Sequence, residues 1–98
     1  MSVTAYHFWS LSCQPCKVIK PAIEDLKEEF HQVVWVSVNL HDDTDQLAKK
    51  YGVSIVPTIV VESKDTSGAV INLDKQVGTT MGGYYRIIRN ALRLTQQS

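Results

Sequence analysis

The hydrophobic period of the chain changes after its first few residues, and this change constrains the fold more than any other feature. Residues 3–9 (VTAYHFW) are rich in β-branched and aromatic side chains, which predicts a strand. Over residues 13–30 the apolar positions recur at steps of three and four, as in an amphipathic helix: Cys16, Ile19, Ile23, Leu26 and Phe30. A strand that leads into a helix predicts a right-handed crossover to a parallel strand.

The rest of the chain continues this alternation. Residues 33–40 (VVWVSVNL) are nearly all apolar, which predicts a strand covered on both faces. Asp43, with Gln46 three residues later, predicts the cap of a short helix that ends at Gly52.

Two further strands and a helix are predicted in the second half of the chain. Residues 53–61 (VSIVPTIVV) predict a third strand, ESKDTSG a turn, and residues 69–73 (AVINL) a fourth strand that pairs with the third as a hairpin. Gly82 and Gly83 precede a final helix over residues 84–94. The expected fold class is therefore α/β, in the order βαβαββα, with a central four-stranded mixed sheet flanked by helices.

The size and charge of the chain limit the classes of protein to which it can belong. The 98 residues suit a single domain spanning 1–98, and ten basic side chains balance ten acidic ones. A formal net charge of zero gives no field to attract nucleic acid, and no apolar run is long enough to span a bilayer. The N-terminus lacks the features of a secretory signal. We therefore expect a cytoplasmic monomer that binds neither nucleic acid nor membrane.

Cys13 and Cys16 are the only cysteines. Three interpretations of the pair are open: a redox couple, part of a metal site, or two inert thiols. Structural disulfides are rare in a reducing compartment, and two cysteines are too few for a zinc site without histidines at suitable spacing. Copper(I) could bind two thiolates, although the methionine motif usual in copper chaperones is absent. Two inert thiols are the third possibility. A close redox pair is the interpretation we favour.

The position of the pair favours redox chemistry. Cys13 follows the first strand and begins a helix, where free N–H groups and the helix dipole stabilise an anion. We therefore expect the pKa of the Cys13 thiol to lie below its free value of about 8.5. Cys16 lies one turn further along the same face, so it should be more buried and should resolve a mixed disulfide formed by Cys13. Pro15 is tolerated in a first helical turn.

Pro57 lies inside an otherwise good strand, where proline is disfavoured. The conflict disappears if the Val56–Pro57 peptide bond is cis and lies at the start of the strand. Backbone groups there would be free to pair with a substrate, beside the helix that carries Cys13.

The sequence resembles the thioredoxin family over nearly its whole length. The matching residues are Phe8 and Trp9, Cys13-Gln14-Pro15-Cys16-Lys17, Pro21, Lys50-Tyr51-Gly52-Val53, Val56-Pro57-Thr58 and Val77-Gly78. The resemblance implies a thioredoxin-like fold and a thiol–disulfide oxidoreductase acting on protein disulfides without a bound cofactor or metal. Electrons would come from a thioredoxin reductase or from glutathione. The implied substrate-binding residues are Trp9, Gln14, Pro15, Val56, Pro57 and Gly78.

The sequence departs from the family pattern in four ways. It begins at what would be the second strand, Ser12 replaces a tryptophan, and Gln14 replaces a glycine. His7 stands where the family has a buried aspartate, so it is a candidate catalytic base; if protonated, it would stabilise a thiolate. We therefore predict a couple less reducing than that of thioredoxin, with possible disulfide isomerase activity. The alternative is a non-catalytic peptide-binding module of the same fold.

Overall fold

The computed structural model describes residues 1–95. It contains four strands, three α-helices and a 3-10 turn, in chain order: β1 Ser2–Trp9, α1 Gln14–Glu29, β2 Val34–Asn39, a 3-10 turn Leu40–Asp42, α2 Leu47–Lys50, β3 Thr58–Lys64, β4 Val70–Val77 and α3 Met81–Thr95. The expected order βαβαββα is confirmed. The last three residues of the expected domain 1–98 lie outside the described residues.

The four strands form one mixed sheet in the order β2-β1-β3-β4. Strand β1 pairs in parallel with β2 and antiparallel with β3, and β3 pairs antiparallel with β4. His7, in the centre of the sheet, lies opposite Ser37 on one side and Ile59 on the other. The predicted fold class, an α/β domain with a four-stranded mixed sheet, is therefore confirmed.

Apolar side chains cover both faces of the sheet. The larger cluster joins β1 and β3 to the inner faces of α1 and α3, and its fully buried members include Ala5, Leu26, Ile59, Tyr84 and Ile88. The smaller cluster, around Phe8, Val38 and Val60, packs against the segment that contains α2. Since residues of one strand alternate between the faces, His7 and Trp9 lie on the α1 side of the sheet.

Strand β2 corrects one prediction. Its apolar sequence suggested burial on both faces, but Val34 is 55% exposed and β2 lies at the edge of the sheet. No described element pairs with its outer edge. The apolar run therefore predicted the strand correctly but not its burial. The burial of a strand depends on which elements pack against it, and its own sequence does not determine that.

The second half of the chain shifts several predicted boundaries. Strand β3 begins at Thr58, after the proline, and runs through Lys64, so part of the predicted ESKDTSG turn is strand. The turn is made by Asp65, whose carboxylate accepts hydrogen bonds from the backbone N–H groups of Ser67 and Ala69. Strand β4 is longer than predicted because its pairing with β3 continues as far as Val77.

The helix starts also differ. Helix α3 includes both glycines that were expected to precede it. At α2, the Asp43 carboxylate accepts hydrogen bonds from the N–H groups of Leu47 and Ala48, both at 2.9 Å. Gln46 adopts a left-handed conformation (φ 53°) and makes no side-chain cap. Asp43 therefore caps the helix as predicted, but Gln46 does not complete a capping box.

Candidate active site

Cys13 is the N-cap residue of α1. Its sulfur accepts a hydrogen bond from the backbone N–H of Cys16 at 3.1 Å, and the first turn of the helix contains no acidic residue. The N–H group and the helix dipole both stabilise negative charge on this sulfur. The predicted position of Cys13 at the start of a helix is confirmed.

Cys13 and Cys16 form a disulfide, with their Cα atoms 5.3 Å apart. Cys16 is only 6% exposed, whereas Cys13 is half-buried. The prediction that Cys16 is the more buried sulfur is confirmed. An incoming molecule can therefore reach Cys13 more easily than Cys16.

A proline loop lies against the sulfur of Cys13. The Val56–Pro57 peptide bond is cis and lies immediately before the strand, as the sequence predicted, but β3 begins at Thr58 and not at residue 53. The carbonyl oxygen of Val56 lies 3.6 Å from the Cys13 sulfur. Residues 43 positions apart in sequence thus meet at one point of the surface.

Gly78 and Tyr84 hold this loop in place. The backbone N–H of Gly78 donates to the carbonyl oxygen of Pro57 at 2.9 Å, and Gly78 has a φ of 103°, a conformation that favours glycine. The hydroxyl of Tyr84 donates to the carbonyl oxygens of Pro57 (3.4 Å) and Gly78. Burial raises the pKa of Tyr84 to about 12, so the hydroxyl remains a donor at neutral pH.

Sequence reasoning missed the role of Tyr84. An aromatic residue at the start of an amphipathic helix is typical of core packing, and Tyr84 is indeed fully buried. The only available signal was the hydroxyl itself, because a buried phenol usually finds a hydrogen-bond partner. The partner could not be found without the fold, since Pro57 lies 27 residues away.

The other predicted substrate-binding residues differ in how exposed they are. Gln14 and Pro15 are exposed in the first turn of α1. Trp9 is half-buried, and its indole N–H donates to the Ser37 hydroxyl at 2.7 Å. Contact of these residues with a substrate stays a prediction.

His7 is buried, with 7% of its surface exposed, and lines the same cavity as Cys16. Neither ring nitrogen has a hydrogen-bond partner among the described residues. Burial, with a smaller contribution from the positive charge of Lys27, lowers the pKa of His7 from 6.5 to about 4. His7 is therefore neutral at neutral pH, and it cannot stabilise a thiolate by a positive charge.

A hydrogen-bonded group of polar side chains lies just before the disulfide in sequence, and sequence reasoning did not predict it. The buried hydroxyl of Ser10 lies 3.0 Å from both the Ser12 hydroxyl and Nε2 of His41. Ser12, which stands in place of the family's tryptophan, is therefore tied to the loop of His41 by hydrogen bonds. Nothing in the sequence signalled this, because His41 lies 31 residues from Ser10.

Residues 1–95 contain neither a metal-ligand cluster nor a membrane-spanning helix. No group of three or more His, Cys, Asp or Glu side chains there is arranged to hold a metal ion. None of the helices described is long and apolar enough to cross a membrane.

A disulfide at a helix N-terminus, set against a cis-proline loop on a mixed sheet, defines the class of proteins with a redox-active CXXC site. The family model described as Thioredoxin matches residues 3–80. The chain therefore belongs to the thioredoxin family.

Curated relatives match parts of the chain. A thioredoxin of Mycoplasma genitalium is 41% identical over 54 residues, which cover 55% of this chain and 52% of that protein. A thioredoxin of Rickettsia bellii is 32% identical over 63 residues, or 60% of each protein. The chain spans about half the length of these relatives, so their whole activity is not transferred by similarity alone.

Solved structures confirm the fold. The thioredoxin of Fasciola hepatica superimposes with a TM-score of 0.73 at 26% identity, covering 92% of this chain and 81% of that one. The thioredoxin of Malassezia sympodialis gives a TM-score of 0.72 at 27% identity, covering 92% and 75% of the two chains.

Proposed function

We propose that this chain is a thiol–disulfide oxidoreductase that reduces or exchanges protein disulfides through a reversible Cys13–Cys16 bond. The observation that carries the proposal is the environment of the Cys13 sulfur. It accepts the N–H of Cys16 at the start of α1 and lies 3.6 Å from the carbonyl oxygen of Val56. The sulfur is thus stabilised as a thiolate and is placed beside backbone groups that an extended peptide can pair with.

The reaction has two exchange steps. In the reduced protein, the Cys13 thiolate attacks one sulfur of a substrate disulfide; a bond forms between Cys13 and the substrate, and the other substrate sulfur leaves as a thiolate. Cys16 then loses its proton and attacks the Cys13 sulfur. The Cys13–Cys16 bond forms and the second substrate sulfur leaves, so two electrons and two protons pass from the dithiol to the substrate.

Insulin reduction tests this proposal. With dithiothreitol as the terminal reductant, the chain is expected to accelerate precipitation of the insulin B chain, and Cys13→Ser is expected to abolish the acceleration. Cys16→Ser keeps the nucleophile but cannot resolve the mixed disulfide, so once reduced and freed of dithiothreitol it should accumulate a covalent adduct with insulin. Wild-type protein that shows no acceleration would contradict the proposal and favour the non-catalytic peptide-binding module.

The electron donor belongs to the same proposal. One structural neighbour is a thioredoxin f2 solved in a complex with ferredoxin:thioredoxin reductase, with a TM-score of 0.74 at 23% identity, which supports only a shared fold. We propose a thioredoxin reductase or glutathione as the reductant of the Cys13–Cys16 disulfide. Oxidised protein incubated with each system, and then alkylated, shows which one regenerates the free thiols.

The second proposed function is disulfide isomerisation by a couple less reducing than that of thioredoxin. A protonated His7 cannot make the couple less reducing, because burial lowers the pKa of His7 and the ring is neutral. The charge of the residue that His7 replaces supports the same shift in redox potential. Where the family has a carboxylate, neutral His7 places no negative charge near Cys16, so the dithiol form is less destabilised. Reactivation of scrambled ribonuclease tests the isomerase activity; failure to reactivate it leaves the reductase proposal alone.

The acceptor role of His7 is part of this proposal. A neutral imidazole without a protein partner can accept a proton, and His7 lines the same cavity as Cys16. We propose that His7 assists deprotonation of Cys16 during resolution by accepting a hydrogen bond from its thiol, since a pKa of about 4 makes the imidazole a weak base. We also propose that the protein is a monomer and that it works in the cytoplasm. Light scattering on the purified chain tests the oligomeric state, and cell fractionation tests the localisation.

A further inference from the structure

A cavity of about 360 Å³ opens beside α1, lined by residues of β1, β2 and α1. Its lining includes Cys16 but not Cys13, Val56 or Pro57. It is therefore distinct from the surface where the proline loop meets the Cys13 sulfur. Its volume is at the lower end of the range for small-molecule sites, about 300–1,000 Å³.

The mouth of the cavity is positively charged. Lys17, Lys20, Glu24 and Lys27 lie on one face of α1 and line the opening. Lys27 pairs with Glu24 at 3.4 Å, whereas within residues 1–95 Lys17 and Lys20 form no ion pair. Two ammonium groups are therefore available to an anion that enters.

The interior offers polar groups that lack partners. His7, 93% buried, lines the cavity with both ring nitrogens unpaired among the described residues. Because it is neutral, one nitrogen donates a hydrogen bond and the other accepts one. An occupant that reaches His7 with a hydroxyl group would satisfy a nitrogen that is otherwise costly to bury.

The lining of the cavity is partly apolar. The indole of Trp9 and the side chain of Leu11 both line the cavity, and Leu11 is 62% exposed. An exposed leucine beside an opening gives a short carbon chain a surface to pack against.

We propose that this cavity binds a small organic acid, a short-chain carboxylate that also carries a hydroxyl group. The carboxylate pairs with Lys17 and Lys20 at the mouth, the carbon chain packs against Trp9 and Leu11, and the hydroxyl hydrogen-bonds to His7. Binding involves no electron transfer and occurs with the Cys13–Cys16 disulfide closed. It therefore requires no oxidoreductase turnover, but the occupant would contact the His7 imidazole that we propose to assist Cys16.

Titration of the oxidised protein with 3-hydroxypropionate tests this inference. The NMR resonances of the His7 ring and the Trp9 indole are expected to shift in a saturable way. Uncharged 1,3-propanediol should bind far more weakly because it has no carboxylate, and propionate should shift the Trp9 resonances but leave those of His7 nearly unchanged. The measurement needs no reductant and no protein substrate.

Lysine variants show whether the proposed charges are used. The double variant Lys17→Gln, Lys20→Gln should weaken binding about fivefold, since each exposed charge pair contributes only modestly. Lys49→Gln, an exposed lysine on α2 outside the cavity, should bind like the wild type. The inference is overturned by the absence of saturable shifts, by equal shifts with the diol, or by unchanged affinity in the double variant.

Discussion

The hydroxyl of Tyr84 donates a hydrogen bond to the carbonyl oxygen of Pro57, and so joins the last helix to the loop that faces the Cys13–Cys16 disulfide. The same hydroxyl donates to the carbonyl oxygen of Gly78. These contacts connect the two backbone segments that flank the β3–β4 hairpin. The position of the Pro57 loop beside Cys13 therefore depends on a residue that is remote from it in sequence.

Tyr84→Phe should destabilise the protein and impair its activity. Loss of the hydroxyl removes the Tyr84 donor from the carbonyl oxygen of Gly78 and leaves that of Pro57 with the Gly78 N–H alone, which costs about 1–3 kcal/mol. We expect a lower urea midpoint and, because the loop loosens, a higher KM for insulin. Tyr85→Phe on the same helix is the control: it removes only a surface hydroxyl beside Glu29, so it should change the free energy of unfolding less than Tyr84→Phe does. Equal effects of the two variants would contradict a specific role for Tyr84.

The thiol of Cys13 should titrate below the ordinary value for cysteine. In Cys16→Ser, Cys13 is the only thiol, and its pKa should lie at least one unit below about 8.5, because the backbone N–H of residue 16 and the helix dipole stabilise the thiolate. The rate of reaction with iodoacetamide as a function of pH measures this pKa. The same protein in concentrated urea should regain the ordinary value. A pKa near 8.5 in the folded state would refute this electrostatic account.

His7 should make the free energy of unfolding depend on pH in the acid range. Its pKa is about 4 in the folded protein and 6.5 when unfolded, so below pH 6.5 the unfolded state binds more protons. The contribution is fully present above pH 6.5 and is lost as the pH falls towards 4, by at most about 3 kcal/mol.

Urea unfolding at several pH values measures this dependence, and His7→Asn should remove most of it. His31→Gln, an exposed histidine, is the matched control and should retain the wild-type slope. A wild-type slope in His7→Asn would show that another group is responsible.

His7→Asp should make the Cys13–Cys16 couple more reducing. A carboxylate near Cys16 disfavours its thiolate and therefore favours the disulfide. We expect a shift of about 30 mV to more negative potential, which is a tenfold change in the equilibrium with glutathione. His7→Asn, which adds no charge, separates the effect of charge from that of changed packing. An unchanged potential in His7→Asp would remove the reason for expecting isomerase activity.

Tyr51 and Glu62 should be coupled energetically. The Tyr51 hydroxyl donates to the buried Glu62 carboxylate at 3.0 Å, and burial together with hydrogen bonds raises the pKa of Tyr51. Tyr51→Phe should cost about 1.5–3 kcal/mol, as expected for a hydrogen bond to a charged group. In the background of Glu62→Gln the same substitution should cost less. Equal costs in both backgrounds, measured by urea unfolding, would show that the pair is not coupled.

The sequence determined those features that depend on neighbouring residues. The change from strand to helical periodicity located β1 and α1, and the spacing of the two cysteines on a helical face indicated the disulfide. Pro57 indicated a special peptide bond because proline conflicts with a strand interior. Each of these inferences rests on local backbone geometry, which the chain specifies over a few residues.

Only the tertiary structure decided which distant groups meet and which remain unpaired. It placed Val56 against Cys13, joined Tyr84 to Pro57, left β2 at an open edge, and buried His7 without a hydrogen-bond partner among the described residues. Burial and charge at His7 lower its pKa, so the same residue type that suggested a cation in the sequence is neutral in the fold. The physical reason is that desolvation and long-range contacts depend on the packing of the whole domain, which no short stretch of sequence encodes by itself.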